Sequence, residues 1–174
     1  MKIFSPYKRV TLKIGSSLLV DRQSRRLRQE WLDSLAQDIA GLRAQGKEVL
    51  IVSSGAVALG QPLLGIETQQ PNRKQAAAAC GQPLLMQAWQ QALGKHDVTS
   101  AQILLTLNDT ESRRAYLNAR NTIRTLLNHN VTPIINENDS VTTEGILYGD
   151  NDRLAARISA MSDVEALLLL SDVD

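Results

Sequence analysis

Five short apolar runs rich in β-branched residues alternate along the chain with segments of helical periodicity. The runs lie at residues 10–14, 49–53, 101–106, 131–136 and 166–170. From Leu27 to Leu42, apolar residues recur at three- and four-residue spacing, which predicts an amphipathic helix that ends near Gly46. Strands that alternate with helices favour a three-layer α/β/α sandwich with a mainly parallel central sheet.

Three more helical segments follow from the same periodicity. One spans about residues 73–93, and Gly81 and Pro83 within it predict a kink or two abutting helices. Another begins at Asp109 and continues to about residue 127. The third, around residues 154–161, precedes the last strand.

Small and polar residues follow four of the predicted strands directly, at residues 15–17, 53–55, 136–139 and 171–172. Right-handed crossovers place the carboxyl ends of parallel strands at one edge of the sheet. Ligands of open α/β sheets bind at that edge. The coincidence of four polar segments with four strand ends therefore predicts a small-molecule site.

Residues 136–152 carry the densest polar clusters. Seven carboxylate or carboxamide side chains lie in two four-residue segments, at 136–139 and 149–152. Clustered carboxylates cost free energy unless a cation, an ammonium group or a metal compensates them. An EF-hand does not fit, because Leu154 stands where the third ligand would be, and no metal ligands are assigned. Helix capping explains only one of the three polar side chains after Gly149.

Two glycine-containing turns suit a phosphate group. Lys13 precedes Gly15 and Ser16, and Ser54 precedes Gly55, so backbone N–H groups and one ammonium could face an anion. Neither a Walker phosphate loop nor a Rossmann fingerprint occurs. Taken alone, each turn also fits an ordinary strand–helix connection, and Lys13 fits a lysine that points out of the core.

Composition narrows the class of protein. The net charge of +1 on 174 residues gives no general attraction to nucleic acid or a membrane, and 3% aromatic residues argue against base stacking. Arginines within residues 22–28 fit a solvated polar loop. The sequence has one cysteine, Cys80, and it has neither an apolar run long enough to span a membrane nor a secretory segment at its N-terminus. These features predict a cytoplasmic protein.

Together, and in this order, these motifs resemble the amino acid kinase family, most closely the members that phosphorylate the side chain of glutamate. The resemblance covers nearly the whole chain. It rests on VTLKIGSS (10–17), IVSSGAVALG (51–60), LNAR (117–120), VTPIINEND (131–139), GDNDRL (149–154) and LLLLSDVD (167–174).

The resemblance implies transfer of the γ-phosphoryl group of ATP to the side-chain carboxylate of L-glutamate, with Mg²⁺, to give L-glutamyl 5-phosphate. This reaction opens proline biosynthesis in the cytoplasm, with proline as feedback inhibitor and a dimer or tetramer as the expected assembly. Because the attacking oxygen is already a carboxylate, alignment and charge neutralisation should suffice without a strong general base.

The resemblance also assigns roles to individual residues. The catalytic positions are Lys13 and Asp152. The glutamate-binding positions are Ser54, Gly55, Asp139, Asp150 and Asn151. The ATP-binding positions are Lys13, Gly15, Ser16, Ser171 and Asp172. In this scheme the Asp139 carboxylate pairs with the substrate ammonium, and Asn151 and Ser54 donate to a carboxylate.

The last predicted strand is followed by only four residues, too few to cover it as a central strand needs. We therefore expect residues 1–174 to be the N-terminal part of a C-terminally truncated kinase domain, comprising a glutamate-binding lobe and the start of an ATP lobe. The family's second catalytic lysine and its appended PUA domain would be absent. Such a chain would lack a complete ATP site, which leaves its own turnover open.

Two alternatives remain open. One is another enzyme of the family, such as acetylglutamate kinase, which ADP release across several acceptors would separate. The other is a non-catalytic module that binds glutamate or proline, which calorimetry without nucleotide would detect.

Overall fold

The computed structural model describes residues 4–65, 70–141 and 150–172, with Asp150 described by its backbone alone. It contains five strands, at the five positions that the sequence predicts. They are β1 (Arg9–Ile14), β2 (Glu48–Ser53), β3 (Ser100–Leu105), β4 (Thr132–Glu137) and β5 (Ala166–Leu170).

Helices connect the strands. They are α1 (Ser16–Leu19), α2 (Gln29–Ala44), α3 (Ala56–Leu64), α4 (Pro71–Gly94), α5 (Leu107–Glu111), α6 (Arg113–Asn128) and α7 (Asp150–Met161). No helix in the described ranges is long and apolar enough to cross a membrane.

The strands form one sheet in the order β3-β4-β2-β1-β5, and every pair is parallel. Strand β1 is thus central, with Lys13 level with Val52 of β2 and with Leu169 of β5. Strand β5 lies at an edge of the described sheet rather than in its centre, and it exposes 49% of Leu169. Parallel pairing brings the carboxyl ends of all five strands to one edge, as predicted.

Two apolar cores cover the two faces of the sheet, which confirms the three-layer fold. Alternate residues of β1 and β2, such as Leu12 and Ile51, pack with the buried faces of α2 and α4. Leu50 and Val52 of β2 pack instead with buried residues of α6 and α7. The alternation follows from the period-two geometry of a strand with both faces buried.

Helix α4 runs through Pro83 without interruption, so the prediction of two abutting helices was wrong. A proline inside a helix removes one backbone hydrogen bond. Burial of apolar residues on both sides of it, including Ala78 and Trp89, offsets that cost. The helix predicted from Asp109 is in fact two, α5 and α6, because Ser112 adopts an extended backbone between them.

Helices α3 and α4 cross at a distance that only glycine allows. A Cβ atom on Gly60 would lie 1.8 Å from the carbonyl oxygen of Ala77, and one on Gly81 would lie 1.9 Å from that of Ala56. The small residues of both helices therefore set how close they come. Because α3 begins directly after Gly55, this crossing also fixes the turn that follows β2.

Candidate functional site

A cleft of about 750 Å³ lies at the carboxyl ends of the strands. The turns after β1 and β2, the end of β4, the first turn of α7 and the end of β5 line it together. It contains every predicted site residue whose side chain is described: Lys13, Gly15, Ser16, Ser54, Gly55, Asp139, Asn151, Asp152, Ser171 and Asp172. Gly149 and the side chain of Asp150 lie outside the described part of the chain.

Lys13 is buried in the centre of the sheet, with 8% of its surface exposed. It points to the face that α7 covers, and its Nζ lies 2.6 Å from Oδ1 of Asp152. The interpretation of Lys13 as a lysine that points out of the core was wrong, because α7 covers the face of β1 to which Lys13 points. A buried ammonium is costly unless it is paired, and Asp152 supplies the opposite charge at the floor of the cleft.

The two glycine-containing turns lie side by side, as predicted. The N–H of Gly15 donates to the carbonyl of Leu170 over 2.9 Å, and the N–H of Ser54 donates to that of Ile14 over 3.1 Å. These bonds join the ends of β5, β1 and β2 into one rim. A side chain on Gly15 would come within 3.3 Å of the Leu170 carbonyl, so glycine suits this close approach.

The turn after β2 needs its glycine for a different reason. Gly55 has φ +117°, a left-handed conformation that is strained for residues with a side chain. It precedes the first residue of α3 and turns the chain so that Ser54 faces the cleft. Behind it, Trp89 Nε1 donates to the hydroxyl of Ser53 over 2.9 Å, and both residues are fully buried.

A relay of amide and hydroxyl groups, which we call the amide relay, links four elements of the fold. The side chain of Asn151 donates to Oγ of Ser54 over 2.6 Å and to Oδ1 of Asn136 over 3.1 Å. Asn136 in turn donates to Oε1 of Gln82 over 2.8 Å. Gln82, Asn136, Asn151 and Ser54 thus tie α4, β4, α7 and the β2 turn together around one side of the cleft.

A backbone group fixes the direction of these hydrogen bonds. The N–H of Glu137 donates to Oδ1 of Asn136 over 2.9 Å, and a backbone N–H can only donate. Oδ1 of Asn136 is therefore an acceptor, and the atom of Asn151 that faces it must be the amide nitrogen. Both hydrogens of that nitrogen are then used inside the protein, so in this arrangement Asn151 does not donate to a ligand. The Ser54 oxygen accepts, which leaves its hydrogen available to donate into the cleft.

Asp139 lies half-buried in the turn that follows β4. The backbone holds this turn, because the N–H of Asn138 donates to the carbonyl of Leu105 over 2.9 Å and that of Val141 donates to the carbonyl of Asn138. The Asp139 carboxylate thus sits on the wall of the cleft that β4 provides. A carboxylate in that place suits a cationic group of a ligand.

Ser171 and Asp172 extend the cleft beyond β5. A hydrogen bond from the Ser17 side chain, reinforced by Arg22 and Arg28, holds the pKa of the Asp172 carboxyl below its ordinary value. Arg22 Nη2 lies 2.7 Å from Oδ2 of Asp172. This pair joins the end of β5 to the chain that follows α1.

The arginine-rich segment is an ordered hairpin in which Arg22, Arg26 and Arg28 are exposed, as predicted for a solvated polar loop, whereas Arg25 is partly buried. Val20 and Leu27 form an antiparallel bridge, and Oδ1 of Asp21 accepts hydrogen bonds from the backbone of Ser24 and of residue 23. The turn places Arg25 on the cleft wall, where it donates to Gln61 of α3 over 3.1 Å. Arg22 lines the cleft from the same hairpin.

The described residues do not form a metal cage. Within ranges 4–65, 70–141 and 150–172 no three His, Cys, Asp or Glu side chains are placed to hold one ion. Mg²⁺ that arrives with a nucleotide needs only one or two carboxylates besides the phosphate oxygens. Asp152 and Asp172 line the cleft and can supply them. The donor set therefore fits a nucleotide-borne Mg²⁺.

Sequence reasoning missed several residues around the cleft. Asn136 stood inside a polar cluster but received no role, although it is the centre of the amide relay. No motif in the sequence marks Gln82 or Trp89, because both lie in α4 and contact residues of the site that are distant in sequence. Lys74, near the start of α4, also lines the cleft.

The comparisons with known proteins agree with this geometry. The model of the amino acid kinase family matches residues 8–174. The chain is 56% identical over 176 aligned positions to glutamate 5-kinase 1 of Mesorhizobium japonicum, 55% identical to glutamate 5-kinase of Brucella ovis and 52% identical to glutamate 5-kinase of a Ruegeria species. Each alignment includes 100% of this chain but only 46%, 46% and 48% of the relative, respectively. The chain thus spans about half the length of these relatives.

Proposed function

Since the chain belongs to the amino acid kinase family, we propose that it forms the glutamate-binding part and the start of the ATP-binding part of a glutamate 5-kinase. The observation that carries this proposal is the cleft itself. A buried, ion-paired Lys13 and two adjacent glycine turns lie in the same cavity as Asp139 and the amide relay. An amino acid and a phosphoryl group would meet at this place.

Glutamate brings one ammonium and two carboxylates. Asp139 would pair with the ammonium from the β4 wall. The Ser54 hydroxyl and the N–H groups of the turn at Gly55 would donate to a carboxylate. Neutral donors suit this task, because they orient the nucleophilic carboxylate without neutralising it.

Phosphoryl transfer would then occur between the glycine turns. The side-chain carboxylate of glutamate attacks the γ-phosphorus of ATP, the bond to the β,γ-bridging oxygen breaks, and ADP leaves. No proton has to be removed from the nucleophile. Lys13 would steady the charge on the transferring group, and Asp152, at 2.6 Å, would hold the ammonium at that point.

The nucleotide would contact Gly15, Ser16, Ser171 and Asp172 on the β1 and β5 side of the cleft. Mg²⁺ that arrives with ATP would neutralise phosphate charge, and the carboxylates of Asp152 and Asp172 in the cleft would hold it. The proposal includes glutamate binding by Asp150, which the resemblance assigns and whose side chain lies outside the described part of the structure. It also includes inhibition by proline, a homo-oligomeric assembly and a cytoplasmic role in proline biosynthesis.

Isothermal titration with L-glutamate, N-acetyl-L-glutamate, L-aspartate and UMP tests the substrate class. We expect heat of binding from L-glutamate alone among the four. A preference for N-acetyl-L-glutamate would assign the chain to acetylglutamate kinase instead. Absence of binding by any of them would contradict the proposal.

Hydroxamate trapping with Mg-ATP and glutamate tests the chemistry of the same protein. Lys13→Met should remove any hydroxamate formation, because no other cation in the described cleft is buried in the sheet at that point. Lys8→Met, one residue before β1 and exposed, is the matched control and should leave the signal unchanged. Glutamate binding without hydroxamate would support the non-catalytic alternative.

A further inference from the structure

We infer that Gln82 of α4 is a positioning residue for the glutamate site, acting through Asn136 on Asn151. The inference rests on the proposed function of the cleft and extends it to a helix that contributes no predicted site residue. Gln82 accepts from Asn136 over 2.8 Å, and Asn136 accepts from Asn151 over 3.1 Å. Gln82 is thus the outer anchor of the amide relay.

The relay can hold Asn151 in one orientation only if Asn136 is itself held. Two groups hold Asn136: the backbone N–H of Glu137 at its oxygen, and Oε1 of Gln82 at its nitrogen. Asn136 is 2% exposed, so its amide nitrogen has little access to water as a substitute for Gln82. A buried amide that loses its acceptor turns or shifts to find another. Loss of Gln82 should therefore change the orientation of the Asn151 side chain and, through it, that of the Ser54 hydroxyl.

The anchor itself is incompletely satisfied. Nε2 of Gln82 is buried and has no hydrogen-bond partner within the described residues. An unpartnered buried donor costs free energy, so the amide nitrogen of Gln82 does not by itself favour glutamine at this position. The contact that gives Gln82 a role is its oxygen, which accepts the hydrogen bond from the amide nitrogen of Asn136.

This arrangement predicts different effects for two substitutions of similar size. Gln82→Met fills the same space but offers no strong acceptor, whereas Gln82→Glu keeps an acceptor toward Asn136. Gln87→Met, on the exposed side of the same helix, is the matched control. Asn151→Ala reports whether Asn151 itself matters for binding.

Two measurements on the full chain read the result. The first is the side-chain amide signal of Asn151 in a ¹H–¹⁵N spectrum without ligand. Gln82→Met should shift it, and Gln82→Glu and Gln87→Met should leave it close to its original position. The second is the dissociation constant for L-glutamate, which Gln82→Met should raise roughly three- to tenfold, as for the loss of one hydrogen bond. Gln82→Glu should restore most of the affinity.

The outcomes separate a positioning role from a structural one. A lower melting temperature for Gln82→Met with an unchanged Asn151 signal and unchanged glutamate affinity would overturn the inference. A shifted Asn151 signal with no glutamate binding by the unmodified chain would support the positioning role and contradict the proposed function. If Asn151→Ala binds glutamate normally while Gln82→Met does not, the effect of Gln82 does not pass through Asn151 and the inference fails.

Discussion

Replacement of Gly81 by alanine tests whether the α3–α4 crossing supports the cleft. A Cβ atom at this position would lie 1.9 Å from the Ala56 carbonyl oxygen and 2.6 Å from the Gly60 nitrogen. Real Cβ contacts stay above 3.0 Å, so the two helices would have to separate by at least 1.1 Å, the difference between 3.0 and 1.9 Å. Both partner atoms are backbone, and no change of rotamer can relieve the clash.

Two opposing terms set the size of the effect. Overpacking a core costs about 1–3 kcal/mol, and the upper end applies here because backbone must move. Alanine in place of a mid-helix glycine stabilises the helix by about 1 kcal/mol. Gly81→Ala should therefore lower the free energy of unfolding by about 2 kcal/mol, which corresponds to a melting temperature about 4–8 °C lower for a chain of this size.

Thermal and urea denaturation followed by circular dichroism measure this change. Gly41→Ala is the control, because Gly41 lies in α2 with nothing within 4 Å of an added Cβ, and this variant should be as stable as the original or slightly more stable. Gly81→Ala should also weaken glutamate binding, since Ala56 follows the turn at Gly55. A Gly81→Ala protein that is as stable as Gly41→Ala would refute the reasoning.

Two other substitutions and a pH series address the surroundings of the site. Ser53→Ala leaves the buried N–H of Trp89 without its acceptor and should cost about 1–3 kcal/mol of unfolding free energy by urea titration; an unchanged midpoint would contradict it. Backbone and hydroxyl hydrogen bonds from Ser24 hold the pKa of the Asp21 carboxyl below 3.8. The Asp21 carboxyl of the folded protein therefore stays ionised at pH values where the unfolded chain already binds a proton. Its contribution to stability is complete above the ordinary carboxyl pKa and is lost as the pH falls through the lowered pKa of Asp21. Asp21→Asn should flatten that fall in melting temperature, and an equal fall in both proteins would count against this assignment.

Most of the fold could be predicted from the sequence because its signals are local. β-Branched runs and helical periodicity depend on near neighbours, and they placed all five strands correctly. The strand-end position of the site followed from parallel pairing alone. The burial of Lys13, in contrast, could not be predicted locally. Lys13 alternates with apolar residues of β1 in the same way whether or not a helix covers its face of the sheet. Its burial depends on α7, which is distant in sequence.

The remaining differences also have tertiary causes. Gly81 and Pro83 predict a kink or two abutting helices, but the close contact at Gly81 and the buried residues on either side hold one continuous helix, α4. The amide relay joins residues from four elements, so no spacing in the sequence reveals it. Gln82 could be assigned only after the structure placed it beside Asn136.

The proposed glutamate site depends on pairing between the Asp139 carboxylate and the ammonium of glutamate within the cleft. Calorimetric affinities of L-glutamate and of glutarate, which lacks the amino group, for the original chain and for Asp139→Asn measure this pairing. We predict that Asp139→Asn weakens L-glutamate at least tenfold, as expected for a charge-assisted contact, and does not weaken glutarate. Equal losses for both ligands, or no loss for L-glutamate, would contradict the account.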